Sequence, residues 1–171
     1  VHVSDNIVSI GENAFYNTPI LNDQYDENGN EAVVKYFGDW VIGMKSSLSE
    51  DEKDISIKEG TVGIADCSFS EHYYIVSEIK SIQLPSTLKY IGNEIFSKNW
   101  GGSSFGASFT DIVFPEGLKT IGKKAFQSSS ITEVTIPSTV EYIGENAFSS
   151  SDIEKAVIEP GVKEIKDGAF N

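Results

Sequence analysis

The feature that most constrains this chain is a thirteen-residue unit that returns six times without a gap. Residues 136–148 read IPSTVEYIGENAF, 114–126 read FPEGLKTIGKKAF, 84–96 read LPSTLKYIGNEIF and 158–170 read IEPGVKEIKDGAF. Two more copies are VSDNIVSIGENAF at 3–15 and IKEGTVGIADCSF at 57–69. A unit this short cannot bury its own apolar face, so neighbouring copies must stack. Stacking predicts a solenoid over 1–171, a single domain of six repeats of which the first is partial. With 171 residues, 39% of them hydrophobic, the chain can build one continuous core.

Ahead of a full copy the residues alternate. Ile131, Val134 and Ile136, then Ile153, Ala156 and Ile158, point one way, while Glu133, Thr135, Lys155 and Val157 point the other. That period predicts short strands with one buried face, aligned as a parallel sheet with about 4.8 Å between coils. Pro85, Pro115 and Pro137 have no N–H to give a ladder, so each strand ends there and a turn follows. The apolar spacing then becomes Val140, Ile143, Ala147, Phe148, which predicts a short helical segment packed by one face. Gly11, Gly92, Gly122 and Gly144 stand where that segment starts, and Ala65 and Lys166 share their slot, so the glycine reads as a permissive N-cap. The closing phenylalanines at 15, 69, 96, 126, 148 and 170 are expected to stack into a spine. The expected fold is an α/β repeat solenoid, a right-handed coil with a parallel β-sheet on one face and short helical segments on the other.

The longest connection, 16–51, is an insertion. In it, 32–37 and 40–45 flank Gly38-Asp39 at two-residue spacing, which predicts a β-hairpin over 32–45 leaning on the first coils. The stretch 46–54, SSLSEDEKD, reads as a solvated acidic loop.

Charge removes whole classes of partner. Thirteen Lys and Arg against 26 Asp and Glu leave a net charge of −13, unsuited to nucleic acid or an anionic bilayer, and no run approaches the roughly 18 apolar residues of a membrane span. Cys67 is the single cysteine, so no internal disulfide and no thiolate metal cage can form, and its slot reads as a free surface thiol. His2 and His72 fall in unrelated registers and supply neither a metal site nor a Ser-His pair. DQYDENGNE at 23–31 lacks calcium-loop spacing and reads as turn chemistry. No metal, cofactor or catalytic residue is assigned.

The outward strand positions remain: Asp54, Ser56, Ser81, Gln83, Asp111, Val113, Glu133, Thr135, Lys155 and Val157. They define an open sheet face, with Gln83, Asp111, Val113, Glu133, Thr135, Lys155 and Val157 as candidate ligand contacts. Asp111 and Glu133 occupy equivalent places in adjacent coils, about 5 Å apart in backbone, a spacing that a retaining glycoside hydrolase also uses for its two carboxyls. A flat ladder offers no pocket to desolvate either acid and Lys155 offsets their repulsion, so the row is read as solvated charge. Tyr73 and Tyr74 in 70–78, and Trp100 and Phe105 in 97–108, add aromatics beyond the repeat. They are candidate recognition anchors, against the alternative that they fold back over the neighbouring coil.

The pattern I-x-x-V-x-I-P-x-x-V-x-x-I-G-x-x-A-F resembles the BspA-like class of leucine-rich repeats. The segment YFGDWVIGMK followed by IKEGTVGIADCSF is similar to a unit in bacterial surface members of that class. Thr61, Ile95 and Glu159 depart from the pattern. The resemblance implies a secreted or cell-surface bacterial protein, often an adhesin or part of a host-contact surface. The expected function is a non-catalytic binding or adhesion module recognising a protein or glycan, host extracellular matrix included. The alternative is a structural spacer or stalk. The last copy closes at Phe170 with no polar cap, so either continuation of the solenoid or end-to-end self-association is expected.

Overall fold

The computed structural model describes residues 4, 6–70, 73–100 and 103–171, with the side chains of 73–74, 98–100 and 103–105 excepted. In chain order the strands are β1 (Val34–Phe37), β2 (Trp40–Met44), β3 (Asp54–Ser56), β4 (Gly63–Ile64), β5 (Ser81–Gln83), β6 (Tyr90–Ile91) and β7 (Lys98–Trp100). They continue with β8 (Ser103–Phe105), β9 (Thr120–Ile121), β10 (Glu133–Ile136), β11 (Tyr142–Ile143), β12 (Lys155–Ile158) and β13 (Glu164–Ile165).

Four of the five coils contribute twice, the exception being the one that carries β9. The alternating run forms a strand of the first face, where β3 pairs parallel with β5 and β10 with β12. The chain then turns at proline, with Val140 N–H bonded to Pro137 O at 3.0 Å and Leu118 N–H to Pro115 O at 3.0 Å. On the far side the two residues before the glycine slot form a second sheet, ordered β1-β2-β4-β6-β9-β11-β13. Between the sheets lies one core, with Ile64, Ile121, Val140 and Ile143 fully buried.

The second face therefore carries a sheet where helical segments were expected. Helix is confined, among the described residues, to the four-residue segments Pro19–Asn22 and Tyr73–Val76 and a 3-10 turn at Glu50–Glu52. Left-handed residues are the reason. Cys67, Glu94, Lys124 and Asn146 each have φ between 51° and 59°. Their N–H groups bond the following coil: Cys67 to Asn93 O at 2.9 Å, Lys124 to Glu145 O at 3.0 Å and Asn146 to Asp167 O at 3.0 Å. A helix would keep those donors within the coil, whereas here the backbone is satisfied along the solenoid axis.

The glycine slot is also explained differently. A Cβ on Gly122 would lie 2.3 Å from Gly92 O, and one on Gly144 would lie 2.4 Å from Lys123 N. Close approach of adjacent coils, rather than N-capping, excludes a side chain at these two positions. The departures from the pattern are accommodated: Thr61 is fully buried and its hydroxyl donates to Lys58 O at 2.8 Å, and Ile95 is fully buried.

The phenylalanine spine runs Phe69, Phe96, Phe126, Phe148, Phe170, with successive centroids 4.9, 5.6, 5.2 and 5.2 Å apart. Phe15 does not join it and packs on Phe37 at 4.7 Å. The place beside β4 is taken by β2, whose Val41 pairs with Ile64. Residues 7–15 lie instead against the outer side of β2, where Ile7, Ile10 and Phe15 join Leu21, Trp40, Ile42 and Ala65 in a separate cluster. At the other end β12 and β13 are exposed at every position, including Ile158 and Ile165.

Candidate functional site

The strands of the first face aim alternate side chains outward. In the β3/β5 ladder Asp54 pairs with Ser81 and Ser56 with Gln83, and Ser81 Oγ donates to Asp54 Oδ1 at 2.6 Å. In the β10/β12 ladder Glu133 pairs with Lys155 and Thr135 with Val157, and Lys155 Nζ lies 3.3 Å from Glu133 Oε2. Both members of that ion pair are about two-thirds exposed, so it adds little stability.

Between the ladders the segment 109–114 belongs to no strand pair. Phe109 and Phe114 stand where other coils carry isoleucine or leucine, and their rings pack edge-on against Phe96 and Phe126. The extra ring volume holds this coil out of the ladder. Thr132 N–H still reaches Thr110 O at 3.2 Å, and past that point the coils part into an open groove. Ile112, Phe114 and Val134 form its buried floor, Asp111, Glu116 and Glu133 line it as acids, and Val113 stands 83% exposed beside Thr135 and Pro137. The structure thus brings Asp111, Val113, Glu133 and Thr135 together, sets Lys155 and Val157 on the adjoining ladder, and separates Gln83 onto β5.

None of the three carboxylates in the groove is enclosed, and Glu116 is exposed like the other two. Asp111 is exposed and accepts from Thr110 Oγ1 at 3.0 Å; Glu133 is exposed and faces Lys155. General-acid chemistry on a sugar needs one carboxyl kept protonated by burial, and this arrangement lacks that burial. Tyr73 and Tyr74 open the helix Tyr73–Val76, and Trp100 and Phe105 lie on β7 and β8, but all four side chains fall outside those described. His2 and His72 also lie outside the described residues.

Cys67 corrects the reading of a surface thiol. It is half-buried in a left-handed turn, and burial, with Glu12 nearby, pushes its thiol up to about 11, so it is protonated at neutral pH. In the 23–31 loop Asp26 accepts from Asn28 N–H and Asn30 N–H at 2.8 Å each, which holds its carboxyl below the usual range and closes a turn. The acidic stretch after the hairpin is tied down by Lys45–Glu52 at 2.5 Å and Lys80–Glu50 at 2.9 Å.

A second surface has no counterpart in the sequence reading. On the outer side of the second sheet Trp40, Gly63, Tyr90, Thr120, Tyr142 and Glu164 stand in register. A Cβ on Gly63 would fall 2.4 Å from two carbons of the Trp40 ring, so that ring lies across Gly63, and it is within 5° of parallel to Tyr90 at 6.0 Å. Two-residue strands are too short for alternation to show. The one signal in the sequence is the aromatic residue ahead of Ile-Gly at 90 and 142.

Two short parallel sheets joined by tight turns, with very little helix and about five coils, define a β-solenoid of leucine-rich-repeat type. The BspA type leucine rich repeat region matches residues 42–171 in six copies, and the chain belongs to that family. A leucine-rich repeat protein from Bacteroides ovatus ATCC 8483 is similar at 23% identity over 70% of this chain and 37% of that one, with a TM-score of 0.48. A leucine rich cell surface protein from Faecalibacterium prausnitzii A2-165 is similar at 23% identity over 66% of this chain and 25% of that one, with a TM-score of 0.29. The chain thus spans well under half of either structure. No curated protein matches it. Among the described residues no helix is long and apolar enough to cross a membrane.

Proposed function

We propose that this chain is a non-catalytic binding module, displayed outside a bacterial cell as membership of the BspA type implies, and that its ligand is a protein. The observation that carries the reading is the groove between 111–114 and 133–136, with an apolar floor, acidic Asp111, Glu116 and Glu133, and the exposed Val113. An isolated apolar side chain ringed by carboxylates suits an extended segment with alternating apolar and basic side chains.

The test is biolayer interferometry of the protein against purified extracellular-matrix proteins and an alternating Leu-Lys peptide, at physiological and high salt. Saturable binding is expected, weakened about tenfold by Val113→Asp and reduced by salt or by Glu133→Lys. Absence of binding, or binding indifferent to both substitutions, rejects the groove and favours a spacer that holds other parts of a surface protein apart.

A further inference from the structure

The outer side of the second sheet is shaped as a furrow along the solenoid axis. Gly92 and Gly122 lie in its floor, where close packing of the coils leaves no room for a side chain. Tyr90, Thr120 and Tyr142 line one side, and Asn93 and Asp66 the other. The three hydroxyl-bearing side chains are half-buried, and their hydroxyls make no hydrogen bond within the described residues. Asp66 is held in place by Asn93, whose N–H donates to Oδ1 at 2.7 Å and whose Nδ2 donates to Oδ2 at 3.0 Å, and Asn93 Oδ1 accepts from Lys123 N–H at 2.8 Å. A carboxylate has about four acceptor sites, so Asp66 retains acceptors for further hydroxyl donors.

We infer that this furrow binds a linear, neutral, β-linked glycan. Three features select that occupant. The groups repeat with the strand spacing of about 4.8 Å, close to the rise per ring of an extended β-1,4-linked chain, so Tyr90 and Tyr142, two coils apart, meet rings one disaccharide apart. A sugar ring offers an apolar C–H face for tyrosine and hydroxyls at its rim for Thr120, Asn93 and Asp66. The Asp66 carboxylate and the net charge of −13 disfavour a polyanionic chain. This site lies on the opposite sheet from the proposed protein-binding groove and does not depend on it.

The experiment is isothermal titration of the protein with cellohexaose and, as a control, maltohexaose, whose α-linkages curl the glycan away from the coil spacing. Cellohexaose is expected to bind and maltohexaose to bind at least about tenfold more weakly; Tyr142→Ala is expected to weaken cellohexaose about tenfold and Tyr142→Phe to retain most of it. Val113→Asp, on the opposite face of the solenoid, is expected to leave cellohexaose binding unchanged. No heat or saturation with cellohexaose, equal affinity for maltohexaose, or loss with Val113→Asp but not Tyr142→Ala overturns the inference. Should Tyr142→Ala fail to fold, hydrogen exchange on the unmodified protein decides. Cellohexaose must then slow the amides of 90–93 and 120–123, and protection elsewhere or nowhere rejects the site.

Discussion

Replacing Phe126 by alanine probes the stacking of coils most directly. The ring is fully buried, stacked on Phe148 at 5.2 Å and 8°, tilted on Phe96 at 5.6 Å and met edge-on by Phe114 at 5.6 Å. Removing a buried phenylalanine costs about 3–5 kcal/mol, a large share of the roughly 5–15 kcal/mol that holds a domain together. Because each coil touches only its neighbours, the loss weakens two interfaces at once. Phe170 is half-buried and stacks on Phe148 alone along the spine, so Phe170→Ala should cost about half as much, ~2 kcal/mol. Phe15 is half-buried and packs on Phe37 and the outer cluster rather than on the spine, so Phe15→Ala should cost ~1 kcal/mol. Urea unfolding followed by circular dichroism gives the three values from midpoints at constant slope. A loss for Phe15→Ala equal to that for Phe126→Ala would refute the displacement of the first copy. A loss under ~1.5 kcal/mol for Phe126→Ala would refute the spine itself.

Two further outcomes are expected. Glu52 is held from its ordinary 4.5 down to about 2, first by the hydrogen bond from Lys45 and then by Ser49, so its contribution is complete above about 4.5 and lost as pH falls through about 2. Thermal melts from pH 5 to 2 should therefore fall more steeply for the unmodified chain than for Glu52→Gln, and identical profiles would reject the bridge as a tie between hairpin and solenoid. At the far end Ile165 is 47% exposed while Ile143, at the same place one coil earlier, is fully buried. Sedimentation velocity across a concentration series should show self-association that a double Ile158→Lys, Ile165→Lys variant abolishes, and an unmodified protein monomeric throughout would sink this expectation.

Where the sequence was legible, a side chain's fate depended on its own coil. Val134, Ile136, Val140 and Phe148 are buried because alternation and the Pro137 turn fix their direction locally. What escaped depended on neighbours. The pattern Val140, Ile143, Ala147, Phe148 satisfies a helix as well as it does a strand followed by a tight turn. The choice is made by N–H groups that leave the coil at Asn146 and Lys124, a partnership visible only once two coils are stacked. The groove at 111–114 escaped likewise, since Phe114 matches the repeat by polarity and departs from it only by volume. The furrow escaped because a two-residue strand has no period.

The first copy separates two things that the repeat encodes. GENAF at 11–15 makes the same turn as GENAF at 144–148, with Asn13 at φ 61° beside Asn146 at 56°, and Asn17 just after it matches Ser150 at 56° each. The conformation of the turn therefore follows from its own residues wherever they sit. Position does not: β2 holds the sheet slot beside β4, buried at all five of its positions, while Ile10 packs on the outer side of β2 and its carbonyl accepts from Asp66 N–H at 2.9 Å. A hairpin strand that brings Trp40, Val41, Ile42 and Met44 together removes more apolar surface from water than the short Ile-Gly segment it displaces. The displaced copy then covers Trp40, leaving that ring 1% exposed, and the aromatic row opens to solvent only from Tyr90 onward. The insertion thereby fixes where the furrow begins.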